Sequence, residues 1–278
     1  MRILLIGKNG LLGTEINTLC KESGSFDFYS TSKEDLDITD EDAVKQILYD
    51  FRPNLVINSA AFTYVDECEI KKDFVMNING TANGNLAKMC NDLGAYLVYF
   101  STDYVFDGYK SEGYKEDDET NPINVYGESK LLGEKLIQEN TDKFYIIRTS
   151  WLFGMHGHNF VKTMLELAKK GEPIKVVTDQ IGKPTYTADL AKAIYEGVQM
   201  GYPCGIYHLV NENATTWYDF AKKIFDLAEI SNVDLRSTNS QEFQRPAKRP
   251  TVSILQNTKL PLLRPHEEAL KDYLNHIL

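Results

Sequence analysis

The sequence predicts an α/β protein built on a doubly wound parallel sheet, with a smaller α/β lobe attached. Three observations carry this. The chain opens with a short apolar run, Arg2 to Ile6, which enters Gly7-Lys8-Asn9-Gly10-Leu11-Leu12-Gly13 and then a helical stretch to about Lys21. Strand-like apolar runs then alternate with helical patterns as far as Ser150, the pattern of a parallel sheet with helical crossovers. Beyond Trp151 that alternation weakens without a low-complexity linker or internal repeat, which fits a second lobe interleaved with the first.

The chain has 278 residues, 42% of them hydrophobic and 25% charged, enough for one large domain with a smaller partner. A net charge of −10 argues against nucleic acid or an anionic membrane as main partner. A phosphate-bearing ligand would need a local donor site. No apolar run approaches the roughly 18 residues of a membrane span, and the N-terminus reads as a strand, not a signal peptide. Cys20, Cys68, Cys90 and Cys204 are scattered, with no Cys-x-x-Cys pair. The expectation is four buried, inert thiols in a reduced cytoplasm.

In chain order, the glycine turn comes first. A Gly-x-x-Gly-x-x-Gly turn between strand and helix lets backbone N–H groups face a pyrophosphate; the bland alternative is a tight turn without a ligand. Phe26 to Ser30 reads as the second strand, ending in Tyr29-Ser30-Thr31-Ser32-Lys33. This end is small, polar and basic, with room for a 2′-phosphate, so NADPH is favoured over NADH, although Glu34 or Asp35 could swing in to grip a ribose. Thr39 with Asp42 resembles a capping box. Ala43, Val44, Ile47, Leu48 and Phe51 then follow helical spacing. Leu55 to Asn58 is a buried-type strand entering Ser59-Ala60-Ala61-Phe62-Thr63, whose small residues allow a ligand close to the backbone. A long helix over about Lys72 to Leu93 contains Asn79. The strand Tyr96 to Phe100 ends at Ser101-Thr102-Asp103. Ligands of open parallel sheets bind outside the carboxyl ends of the strands, so Gly7, Ala61 and Thr102 should face one crevice.

Gly108 to Asn121 reads as a loop. The following helix carries Tyr126 and Lys130 on its first turns, and the strand Phe144 to Arg148 comes next. A free tyrosine titrates near pH ~10, and a fixed ammonium close by lowers that value. Residues four apart share a helix face, so Tyr126 is the candidate proton donor and Lys130 its activator. The spacing alone is weak, because a chain with 16 tyrosines holds three such pairs. Tyr29/Lys33 lies in a strand and loop, where residues four apart are not neighbours. Tyr218/Lys222 lies in a late helix with ordinary core spacing. Only Tyr126/Lys130 follows the strand that ends at Thr102.

Further on, Asn159–Lys170, Thr187–Gln199 and Trp217–Ala228 read as helices, and Lys175–Val177 and Ile206–Val210 as short strands. Asp234–Pro250 reads as loop and Pro265–Ile277 as a final helix. His156 and His158 have no carboxylate or cysteine at ligand spacing, so no metal site is expected. Asp103 and Asp107 could pair as carboxylates, though Asp107-Gly108 reads equally well as a turn. No Gly-x-Ser-x-Gly elbow appears. The basic cluster Arg245 to Pro250 either clamps substrate phosphates or is simply solvated.

With these residues in place the chain resembles an extended short-chain dehydrogenase/reductase, and more closely the dTDP-4-dehydrorhamnose reductase family. The resemblance spans nearly the whole chain. It rests on Gly7-x-x-Gly10-x-x-Gly13, Leu36-Asp37-Ile38-Thr39, Asn58-x-Ala60-Ala61-x-Thr63-x-Val65-Asp66 and Ser101-Thr102-Asp103-Tyr104-Val105-Phe106-Asp107-Gly108. It continues through Tyr126-Gly127-x-Ser129-Lys130-Leu131-x-Gly133-Glu134, Arg148 to Gly154, Asp179-Gln180-x-Gly182-x-Pro184-Thr185 and Arg249-Pro250-x-x-Ser253-x-Leu255. Gln256 stands where many relatives carry Asp or Asn.

The resemblance implies a Rossmann-type dinucleotide-binding domain over 1–150, and over 151–278 a mainly substrate-binding lobe interleaved with it. It implies that Gly7, Gly10, Leu11, Leu12 and Gly13 hold the pyrophosphate of NADPH (NADH being possible), with Ser30 also among the cofactor-binding residues. Asp37 and Ile38 would flank the adenine; Ala60, Ala61 and Thr63 would line the nicotinamide side. Thr102, Tyr126 and Lys130 would be catalytic, Lys130 also binding the ribose, with Asn79 supporting it through water. Asp103, Tyr104, Trp151 and Arg249 would position a nucleotide-sugar substrate, Trp151 offering a flat apolar face. The implied reaction is reduction of the C4 keto group of a nucleotide-linked deoxysugar by a cytoplasmic monomer or homodimer. Some relatives hold a divalent metal near the position of Glu15; its other ligands have no match here, so no metal is carried over. A 4,6-dehydratase would follow the threonine with Asp-Glu, whereas Thr102-Asp103 is followed by Tyr104. An epimerase and a non-catalytic subunit, like the β subunit of methionine adenosyltransferase, remain as alternatives.

Overall fold

The computed structural model describes residues 1–278. In chain order its main elements begin with β1 (Arg2–Ile6), α1 (Leu11–Ser23), β2 (Asp27–Thr31), α2 (Glu41–Phe51), β3 (Leu55–Asn58), α3 (Val65–Ile70), α4 (Lys72–Val75), α5 (Ala82–Leu93) and β4 (Tyr96–Thr102). Then follow α6 (Val125–Asn140), β5 (Phe144–Thr149), β6 (Leu152–Phe153), α7 (Phe160–Lys170), β7 (Ile174–Val177), β8 (Ile181–Gly182) and β9 (Thr185–Tyr186). The chain closes with α8 (Thr187–Met200), β10 (Gly205–His208), β11 (Thr215–Thr216), α9 (Trp217–Leu227), β12 (Leu235–Thr238) and α10 (His266–Ile277).

Six strands form one parallel sheet in the order β10-β5-β4-β3-β1-β2. Strand residues alternate between its two faces, as a period of two requires. Leu4, Ile6, Val56, Leu97, Tyr99 and Ile146 pack on one side with Val44 and Leu48 of α2 and Leu86 and Cys90 of α5. Ile3, Leu5, Ile57, Val98, Phe100 and Ile147 pack on the other with Leu12 and Ile16 of α1 and Leu190 and Ile194 of α8. The sheet is therefore covered on both faces, and its strands read as continuous apolar runs. The strand order reverses between β1 and β3, and such a switch point opens a crevice at the carboxyl ends.

A third core, including Phe153, Leu165, Tyr186, Phe220 and Tyr273, belongs to the second part of the chain. That part also supplies β10 and α8 to the main sheet.

Several local expectations change. The capping box does not form: Asp40 caps α2 by accepting from the Ala43 N–H, while the Thr39 hydroxyl bonds Asp37. The helix over 72–93 is not uniform, because Met76–Thr81 between α4 and α5 is π-helical. Within 234–250, Leu235–Thr238 pairs in parallel with β7 rather than remaining loop. Cys20, Cys68 and Cys90 are buried as expected, but Cys204 is exposed in the turn before β10. No helix is long and apolar enough to cross a membrane.

Candidate active site

The glycine turn has three different glycines. Gly7 has φ +92°, and a Cβ there would lie 2.7 Å from the Ala60 nitrogen. A Cβ on Gly13 would lie 2.0 Å from the Gly7 carbonyl oxygen. The fold itself therefore requires Gly7 and Gly13. It does not require Gly10, which is exposed and whose added Cβ would meet only the Gly7 oxygen at 3.5 Å. No side chain caps the N-terminus of α1, and no acidic residue lies in its first turn. A bare backbone at an uncapped helix N-terminus is a donor set for a phosphate. The residues fit a dinucleotide pyrophosphate. Leu12 is 6% exposed and packs under the sheet, so only its backbone is available.

Ile6, Gly7, Gly10, Lys33, Glu34, Asp37, Ile38, Ala60, Ala61 and Phe62 are among the residues lining one cleft. Ser30 and Thr63 are not part of this lining: the Ser30 hydroxyl donates to Asn17 at 2.8 Å, and Thr63 is exposed. Asp35 does not swing in. It accepts from the Lys8 ammonium at 2.6 Å and from Ser32. Asp37 accepts the Thr39 N–H and hydroxyl, so it shapes its own turn while lining the cleft.

Asn79, in the π-helical turn, is buried. Its side chain accepts the Phe62 N–H and donates to the Phe62 carbonyl and the Ser129 hydroxyl. Ser129 in turn donates to the Tyr126 carbonyl at 2.7 Å. Asn79 thus fixes the Ala61–Thr63 loop to the helix of Tyr126, and its side chain makes no direct bond to Lys130.

Thr102 ends β4, and its hydroxyl donates to Asp103 at 2.9 Å. Tyr126 lies in the first turn of α6, which Asn124 caps by accepting the Gly127 N–H at 2.8 Å. Gly127 lets that turn press against the end of β4, since a Cβ there would lie 2.1 Å from the Tyr104 carbonyl oxygen. The Tyr104 and Tyr126 rings meet edge to face at 6.0 Å. Thr102, Asp103, Tyr104 and Tyr126 thus converge.

The electrostatics differ from expectation. Burial, and next the Asp103 charge, push the Tyr126 phenol above its ordinary range; the nearby Thr102 hydroxyl opposes this. Lys130 does not offset that rise within the chain. Its ammonium is buried, donates to the Phe100 carbonyl at 2.7 Å and sits 4.6 Å over the Tyr99 ring. Burial pulls Lys130 down to about 7, with Glu134 one turn along α6 opposing. The two residues lie one turn apart on α6, and at each of them desolvation is the largest influence.

Asp103 is 3% exposed, and its Oδ2 has no hydrogen-bond partner. Burial raises its carboxyl to about 7, opposed by the nearby Ser253 hydroxyl and by the Thr102 hydrogen bond. The folded chain then holds a proton there that the unfolded chain has lost, so this contribution to stability falls as pH rises from about 4 to about 7. The expected component is on the order of a few kcal/mol and should be absent in Asp103→Asn. Urea unfolding of both proteins between pH 4 and 8 checks it; parallel curves would refute it.

Trp151 and Arg249 each have a partner within the chain that the sequence did not indicate. Trp151 follows β5 with φ +48°, an uncommon backbone for a bulky residue. Its indole stacks on Trp217 at 3.5 Å and 6°, so one face is covered, and a Cβ on Gly182 would come within 2.6 Å of the same ring. Arg249 forks onto Asp66 rather than standing free. The sequence reading missed Trp217. The signal available was that the chain has only two tryptophans. No group of three or more His, Cys, Asp or Glu side chains is placed to hold a metal ion; Glu15 lies 3.9 Å from His156.

A doubly wound sheet with a glycine cleft at its switch point and a Tyr-x-x-x-Lys helix at the next strand end defines the Rossmann-type, short-chain dehydrogenase/reductase class. Comparison with known proteins narrows this. The family described as RmlD substrate binding domain matches residues 1–278. A dTDP-4-dehydrorhamnose reductase of Aggregatibacter actinomycetemcomitans is 41% identical over 271 residues, covering 93% of this chain and 92% of that protein. The spore coat polysaccharide biosynthesis protein SpsK of Bacillus subtilis is 39% identical, covering 98% and 96%. The crystal structure of dTDP-4-dehydrorhamnose reductase from Bacillus anthracis in complex with NADP superposes with a TM-score of 0.95 at 40% identity, covering 99% of each chain. The chain belongs to the dTDP-4-dehydrorhamnose reductase family.

Proposed function

We propose that the chain reduces the C4 keto group of a nucleotide-linked deoxysugar, dTDP-4-dehydro-L-rhamnose to dTDP-L-rhamnose, with NADPH. The observation that carries this is the convergence of Thr102 and Tyr126 at the end of β4, beside the cleft that Gly7, Gly10 and Ala60 line. The relatives' activity supports the same reading.

Residues 1–150 form the dinucleotide-binding domain and 151–278 mainly the substrate lobe, interleaved through β10 and α8. The backbone of residues 10–13 would hold the pyrophosphate, Asp37 and Ile38 the adenine, and Lys33 a 2′-phosphate. Bound NADPH supplies the hydride to the sugar carbon. Tyr126 gives its phenolic proton to the C4 oxygen, which a general acid must protonate as charge develops there. Thr102 presents a hydroxyl to the same oxygen once it turns from Asp103. Lys130 presents a buried amino group, fixed by the Phe100 carbonyl and the Tyr99 ring, that is only partly charged at neutral pH. Asp103, Tyr104 and Trp151 shape the sugar pocket.

The test is oxidation of NADPH and NADH with dTDP-4-dehydro-β-L-rhamnose generated in situ. Turnover preferring NADPH is expected. Tight cofactor binding without turnover would overturn the assignment of this sugar.

A further inference from the structure

One carboxylate ties the two ends of the substrate side together. Asp66 lies in the first turn of α3. Arg249, 183 residues later, donates to its two oxygens at 2.5 and 3.0 Å. The Ala247 N–H donates to the same carboxylate at 3.2 Å, and Arg245 at 3.4 Å. Arg249 also donates to the Ala247 carbonyl at 2.6 Å. A guanidinium forked onto a carboxylate is fixed in plane as well as in position.

The pair reaches the reacting centre by contact. The Arg249 guanidinium lies beside the Tyr104 phenol, close enough to oppose the upward push that burial gives it, and the Tyr104 ring stands edge-on to Tyr126. The loop around Arg249 is held at two further points beside the same tyrosine. Asn124, the cap of the Tyr126 helix, donates to the Lys248 carbonyl at 2.7 Å. The Gly108 backbone abuts Pro250, where a Cβ would lie 2.7 Å from the Pro250 Cα. A phosphate clamp needs donors aimed outward, whereas three hydrogen bonds from Arg249 run to Asp66 and Ala247.

We propose that Asp66 and Arg249 are positioning residues: their ion pair sets the 245–250 loop and Tyr104 against Tyr126, and so fixes where the sugar sits relative to the proton donor. The kinetic part of this rests on the reductase reading above; the structural part does not.

The experiment compares wild type, Asp66→Ala, Arg249→Met and the double variant. It reads kcat and KM for the dTDP-ketosugar, affinities for NADPH and dTDP, and amide hydrogen exchange over 103–108 and 245–252 in the NADPH-bound protein. Each single variant should lose roughly tenfold or more in kcat, since small displacements at a reacting centre are costly. NADPH and dTDP affinities should hold within about twofold, and the double should be no worse than the poorer single, the mark of two residues acting as one unit. Exchange should quicken in both segments. Losses that multiply in the double variant would overturn the proposal. So would unchanged exchange. A gain in dTDP affinity for Asp66→Ala with a loss for Arg249→Met would also overturn it, because that pattern marks Arg249 as a phosphate clamp. If the wild type does not turn over the ketosugar, the reductase reading fails, and the exchange data still decide the pair.

Discussion

Tyr126→Phe should lose about 10³-fold in kcat while NADPH affinity stays within about twofold, a loss typical of removing a positioned general acid. The substitution is conservative in shape. The ring keeps its edge-to-face contact with Tyr104, and the helix keeps its Asn124 cap and its Gly127 approach to β4. Only the phenolic O–H is removed, so loss of turnover with retained cofactor binding isolates proton transfer. Single-turnover oxidation of NADPH, with binding measured by fluorescence, makes the separation. If more than a tenth of the activity survived, the proton would come from elsewhere. Asp103 would be the next donor to test, because burial keeps its carboxyl protonated up to about pH 7 and it hydrogen-bonds Thr102.

Arg148→Met should be the most destabilising of the substitutions considered. Arg148 and Glu134 are 3% and 1% exposed and joined by two hydrogen bonds of 2.9 and 2.7 Å. Arg148 also donates to the Glu116 carbonyl and lies beside His208, which burial and then the Arg148 charge keep neutral. Removing one partner strands a buried charge, at a cost of about 3–5 kcal/mol. Urea denaturation reads this directly. The double variant Glu134→Gln/Arg148→Met should recover much of the loss, since it removes both charges. A single-variant cost below about 1 kcal/mol would mean that water reaches Glu134 and the pair is not buried in solution. The effect extends to the active site. Glu134 is the group that opposes the depression of Lys130, so a stranded Glu134 should raise the pH at which Lys130 loses its proton.

Much of this protein was legible in the chain. Helix α1 and the turn before it follow from three glycines at fixed spacing after an apolar strand, because backbone conformation and close approach are local demands. The placement of Tyr126 and Lys130 on one helix, and of Thr102 at a strand end, followed from periods of 3.6 and 2. Local competition was harder to read. Thr39 and Asp40 are both acceptable caps, but in the fold the Thr39 hydroxyl is taken by Asp37, and Asp40 accepts from Ala43. The π-helical turn at Met76–Thr81 has no mark in the sequence; there Asn79 bonds both Phe62 and Ser129.

Local residue patterns were enough to set the strand–turn–helix grammar, the two-faced sheet and the identity of the residues at its carboxyl ends, because each depends on neighbours within a few turns of chain. Tertiary structure alone decided which partner each charged or aromatic group takes. Arg249 meets Asp66 across 183 residues, Trp151 is stacked on Trp217, and Lys130 lies over the Tyr99 ring with its amino group on a carbonyl. Those choices turn on burial and on competition among distant groups. Desolvation, which outweighs the Tyr–Lys attraction that spacing suggests, exists only once the chain has folded.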